Sequence, residues 1–169
     1  YRIQSLASAL EMQLTKTIRE EFGGTYSIGV FPHLSLDPHA DYRIIVQYSC
    51  DPERVDELTG RVKEIVTSWQ AAPPEDRYAA DIAATQNRSL SENLERNDWW
   101  LGQMSFAIVT GTDPEVLMNR RELYASLTPE LLSESARTYL LDTQYAEVVL
   151  YPDSLADADF DNSEEESSE

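Results

Sequence analysis

Three observations predict an α+β fold in which a small antiparallel sheet packs against several helices. A helical apolar period opens the chain, two runs of strict alternation come after it, and a long proline-punctuated stretch of helical patterns comes next. Ile3, Leu6, Ala7, Leu10, Leu14 and Ile18 recur at three- and four-residue spacing, which puts them on one face of a helix. Gly23 and Gly24 end it, because glycine accepts the left-handed conformation that closes a helix. Tyr26, Ile28 and Val30 then alternate as a strand. After a turn-like segment from Pro32 to Asp41, so do Tyr42, Ile44, Val46 and Tyr48, giving a hairpin with a long loop. Asp51-Pro52 is a helix-start signal, and Val55, Leu58, Val62, Ile65 and Trp69 mark the buried face of the helix it opens. Pro73-Pro74 interrupts the pattern, which resumes through Tyr78, Ile82 and Leu90 to a break near Asn97-Asp98. Trp99 to Val109 is a further helix. Thr112-Asp113-Pro114 and Thr128-Pro129-Glu130 each repeat the cap-then-proline start, and Ala146 to Tyr151 is expected to be a closing strand. The alternative architecture is an all-helical bundle.

At 169 residues the chain has room for one domain with a sizeable core. Residues 1-152 are expected to form it, and residues 153-169 an acidic disordered tail, serine-rich and nearly without large apolar side chains to offset the entropy of ordering. Removing that tail is accordingly expected to leave the melting temperature unchanged. A loss of several degrees in matched thermal melts would mean that it packs. The chain opens on Tyr1 within a helical pattern, so the expectation is a fragment truncated at its N-terminus.

The formal charge of −18, from 31 acidic and 13 basic residues, repels nucleic-acid phosphates and anionic membrane surfaces. No nucleic-acid partner is expected, and no apolar run is long enough for a membrane span. The single cysteine, Cys50, lies in strand-like alternation and reads as a structural thiol.

Little in the chain can do chemistry unaided. Its two histidines, His33 and His39, fall with Asp37 in the expected hairpin loop, where Pro38 and the loop setting give no fixed ligand geometry, so no metal is assigned. There is no glycine-rich phosphate loop, no Gly-x-Ser-x-Gly elbow and no Cys/His pair placed for nucleophilic catalysis. Glu20-Glu21 are adjacent on a helix, point in different directions and are left unassigned. Trp69, Trp99 and Trp100 lie in apolar helical patterns and are assigned to packing.

The informative segment is Arg19-Glu-Glu-Phe-Gly-Gly-Thr-Tyr26, in which a helix end delivers an arginine, two glycines turn the chain and a tyrosine begins a strand. It resembles the segment of insulinase-like (pitrilysin-type) zinc peptidases in which an arginine and, seven residues on, a tyrosine of the non-metal lobe face a zinc site across a substrate chamber. The resemblance continues through Cys50-Asp-Pro-Glu-Arg54, Glu92-Asn93, Trp99-Trp100-Leu101, Leu127-Thr-Pro-Glu130 and Val148-Val-Leu-Tyr-Pro152, about 150 residues in all. The nearest branch is that of the bacterial zinc proteases named for pyrroloquinoline-quinone biosynthesis. The family's inverted zinc motif, His-x-x-Glu-His, does not occur in this chain, so the resemblance implies zinc in a partner lobe and none bound here.

The resemblance implies a noncatalytic substrate-binding domain of a zinc endopeptidase, inactive by itself. It would engage peptide by strand addition and supply Arg19 and Tyr26 to the partner lobe's active site. Its partners would be the zinc-bearing lobe and a peptide or protein substrate, in a bacterial and extracytoplasmic, for example periplasmic, setting. Without the resemblance, Arg19 reads as a favourable charge at a helix C-terminus and Tyr26 as a strand aromatic. The competing functions are a noncatalytic assembly or core subunit of the same fold and an acidic protein-binding module.

Overall fold

The computed structural model describes residues 1–25, 27–36, 39–117 and 119–152. The expectations for Tyr26, Asp37 and the tail 153-169 therefore lie outside the described residues. The chain runs α1 (Arg2–Leu14), a π-helical continuation (Thr15–Glu21), β1 (Ile28–Ser35), β2 (Asp41–Tyr48), α2 (Val55–Ala71), α3 (Asp76–Asn93), α4 (Asn97–Thr110), α5 (Arg120–Ala125) and α6 (Pro129–Tyr139), with short 3-10 turns between. The two strands pair antiparallel and the helices are segregated from them, so this is the expected α+β arrangement.

The central element is α1, packed against β1, α3 and α6. Its apolar face enters the core as predicted: Leu6, Leu10, Leu14 and Ile18 are fully buried, together with Leu58 of α2, Tyr78 of α3 and Leu132 of α6. The three start signals also form as expected. Asp51 accepts from the Glu53 N–H at 3.0 Å, Asp113 from the Glu115 N–H at 2.9 Å, and Thr128 from the Leu131 N–H at 3.2 Å. The lone thiol, Cys50, is pushed up in pKa by burial and then by the neighbouring Asp51 carboxylate, a direction that disfavours the thiolate.

Two elements differ from expectation. The hairpin loop is shorter than predicted, because β1 continues through Pro32 and His33 to Ser35, where it faces Asp41. His33 is therefore an exposed strand residue opposite Arg43, not a loop residue. The physical reason lies at Val30, whose N–H bonds the Glu11 carboxylate at 2.9 Å and so points away from β2, toward the free edge of β1. Side alternates along a strand, so the ring nitrogen of Pro32 lies on that same free edge, where no ladder bond is lost. The second difference is at the C-terminus. Ala146 to Tyr151 is assigned to no strand among the described residues and is exposed, with Val148 at 84% and Leu150 at 92%. Its apolar run, with Val148 and Val149 β-branched, suits a strand, but among the described residues it joins no ladder. Glu147 is held by Lys63 at 3.2 Å and by the Tyr145 hydroxyl at 2.8 Å, both exposed contacts that leave the apolar side chains uncovered.

Candidate functional site

The segment that carries Arg19 begins where α1 loosens. From Thr15 to Glu21 the helix is π-helical, a geometry that occurs mostly as short insertions and often at functional sites. It closes with the Phe22 N–H on the Thr17 carbonyl at 3.1 Å and the Gly24 N–H on the Ile18 carbonyl at 3.0 Å. Ile18, fully buried, anchors the inner side of this turn, and Arg19 and Glu20 stand outside it in solvent. Among the described residues no hydrogen bond or ion pair engages Arg19, whereas its neighbour Lys16 pairs with Glu21 at 3.8 Å. Arg19 also occupies the last turn, where the helix dipole favours a positive charge.

Two glycines then reverse the chain, for different reasons. Gly23 has φ +56°, which strains any residue with a Cβ. Gly24 has an ordinary φ, but a Cβ there would stand 2.5 Å from Leu58 Cδ2, so a larger residue would force the buried Leu58 side chain to shift. Thr25 is nearly buried, and its hydroxyl is within hydrogen-bonding distance of the Ser49 carbonyl at 2.6 Å and the Ser27 carbonyl at 2.8 Å. The backbone on either side of position 26 is thus tied to the end of β2.

Two open grooves flank α1, and the first of them borders this segment. One of about 560 Å³ runs past Glu11, Lys16, Glu20 and Arg77. The other, about 370 Å³, reaches Trp99, Arg120 and Tyr124, and both share Ser8 of α1 and Thr85 of α3. Their linings offer hydrogen-bonding and charged groups, and no nucleophile paired with a base. Among the described residues no three His, Cys, Asp or Glu side chains approach one another closely enough to hold a metal, and His33 and His39 lie on a strand and in the loop after it. The described residues thus bring together no such donor set as a catalytic zinc takes, which is three protein ligands.

Of the tryptophans, Trp69 is buried against Tyr78 with ring centroids 5.6 Å apart. Trp99 and Trp100 are half-buried, and the Trp100 indole N–H donates to the Leu94 carbonyl at 2.9 Å. Sequence reasoning missed the π-helix, the contact of Gly24 with Leu58, and the Arg61 guanidinium, whose carbon lies 4.8 Å from the centroid of the Phe22 ring. A Gly-Gly pair after an aromatic is the only hint of the second, and nothing in the spacing announces the first.

No protein-family model matches the chain. In sequence it is 26% identical over 133 residues to the probable zinc protease PqqL of Escherichia coli, a match covering 78% of this chain and 14% of that relative. The crystal structure of the periplasmic protease PqqL from Escherichia coli superposes with a TM-score of 0.67 at 20% identity, over 82% of this chain and 15% of that one. A peptidase M16 inactive domain from Pseudomonas fluorescens superposes with a TM-score of 0.64 at 14% identity, over 88% and 38%. In fold the chain is thus similar to half-lobes of the insulinase-like (M16) peptidases, and in sequence to the zinc protease PqqL. It spans about one-seventh of the length of PqqL.

Proposed function

We propose that this domain is the noncatalytic, substrate-side lobe of a zinc endopeptidase, closing over a peptide and presenting Arg19 and Tyr26 to a zinc-bearing lobe. The observation that carries this reading is an exposed arginine without a partner among the described residues, on a π-helical turn, seven residues before a tyrosine and followed by two glycines that fix the chain reversal. Left open, its guanidinium can donate to a backbone carbonyl of the substrate, and the Tyr26 hydroxyl can donate to the carbonyl oxygen as it becomes an oxyanion. The inactive-domain relative in fold supports a lobe that binds and positions without catalysing by itself. The zinc chemistry would belong to the partner lobe, and a periplasmic setting would follow the PqqL relative.

Peptide is held in this reading by side chains and the grooves beside α1. Strand addition on the middle of the free edge of β1 is disfavoured, because Glu11 already takes the Val30 N–H and Pro32 has none to give. Arg19→Ala is expected to lower kcat/KM by about 10- to 100-fold, the worth of one charged hydrogen bond, with the loss shared between a higher KM and a lower kcat. Steady-state kinetics on the zinc-bearing enzyme, at equal zinc loading, would sink the assignment if both constants stayed at parental values.

A further inference from the structure

We infer that Arg61, seated on Phe22, and Leu58, seated against Gly24, clamp the turn after the π-helix and thereby set the aim of Arg19. This rests on the reading that Arg19 contacts substrate. A π-helix is a poor local minimum, and a chain left to itself returns to α geometry. Such a return would change the helical phase after Thr15, so Arg19 would swing around the axis and aim elsewhere. Something outside the helix must therefore hold it.

From within, Ile18 is fully buried. From without, the hold comes from one face of α2, where Leu58 and Arg61 are three residues apart and so point the same way. Leu58 is itself fully buried and stands so close to Gly24 that a Cβ there would force it to shift. The Arg61 guanidinium carbon lies 4.8 Å from the centroid of the Phe22 ring, within the range of a cation–π contact. Glu64 accepts from its Nη1 at 2.6 Å and fixes the plane of the group. Phe22 is the residue whose N–H closes the π-helix on Thr17, and Gly24 the one whose N–H reaches back to Ile18. Both clamps thus grip the two residues whose backbone bonds define the turn. Arg61 is a positioning residue: it acts on substrate only through Arg19.

The test has two arms. In the 169-residue chain, amide exchange at Phe22 and Gly24 is expected to quicken in Arg61→Ala by roughly two- to fivefold, the worth of one exposed cation–π contact, with Leu6 and Leu10 unchanged. Phe22→Leu should reproduce this, and Arg61→Lys, which keeps the cation, should recover part of the protection. Unchanged exchange in both Arg61→Ala and Phe22→Leu would overturn the clamp. In the zinc-bearing enzyme, Arg61→Ala should raise KM by a similar factor when Arg19 is present and add nothing in an Arg19→Ala background. Additive losses would overturn the assignment of Arg61 to Arg19. An Arg19→Ala variant with parental kinetics would instead remove the proposed function, leaving the exchange arm to decide the clamp on its own.

Discussion

Tyr26→Phe, in the zinc-bearing enzyme that includes this lobe, is expected to lower kcat by about 100- to 1000-fold while KM stays near its parental value. The phenolic hydroxyl is proposed to donate to charge that appears on the carbonyl oxygen only as the tetrahedral intermediate forms. Its loss therefore raises the barrier without weakening the ground-state complex. The signature separates it from Arg19, whose guanidinium would hold a substrate carbonyl in both states. Just before Tyr26, Gly23 turns the chain at φ +56° and the Thr25 hydroxyl reaches the Ser49 carbonyl. Turnover and KM measured separately, with zinc content matched between variants, distinguish lost chemistry from lost metal. A parental kcat would return Tyr26 to the role of a packing aromatic.

Leu10→Ala is expected to cost about 2 to 5 kcal/mol, because the side chain is 1% exposed at the centre of the helix that joins the sheet to α3 and α6. Against a typical total of about 5 to 15 kcal/mol this is a large share of the stability, and the melting temperature should fall by roughly 5 to 15 °C. Leu101→Ala makes the control, since Leu101 of α4 is 70% exposed and its truncation should fall within about 0.5 kcal/mol. Equal melts for the two variants would mean that α1 is not the central element of the core.

Much of this fold is legible in the sequence because its signals are local. The apolar spacing from Ile3 to Ile18, the caps at Asp51, Asp113 and Thr128, and the alternation from Tyr42 to Tyr48 each depend on residues a few positions apart. Local signals mislead where a residue's meaning depends on a distant partner. Pro32 looks like a loop residue because a proline costs a ladder bond in a central strand. It costs nothing on the edge that Glu11 shows to be free. Ala146 to Tyr151 has the apolar, β-branched composition of a strand and no ladder among the described residues to make it one. The candidate site divides in the same way. Arg19 and the Gly-Gly turn are visible as a pattern, but the π-helix that turns Arg19 outward, and the α2 side chains that grip its end, belong to tertiary packing.

A lobe that contributes to peptide cleavage only beside a zinc-bearing lobe should reveal itself in a reconstitution. Turnover of a fluorogenic peptide by the zinc-bearing lobe is measured with and without the 169-residue chain, alongside zinc analysis of the chain alone after dialysis. The expected result is chelator-sensitive cleavage only when both are present, lost when the added chain carries Tyr26→Phe and Arg19→Ala, with no stoichiometric zinc on the isolated chain. Chelator-sensitive cleavage by the chain alone, or full cleavage by the zinc-bearing lobe without it, would contradict that dependence.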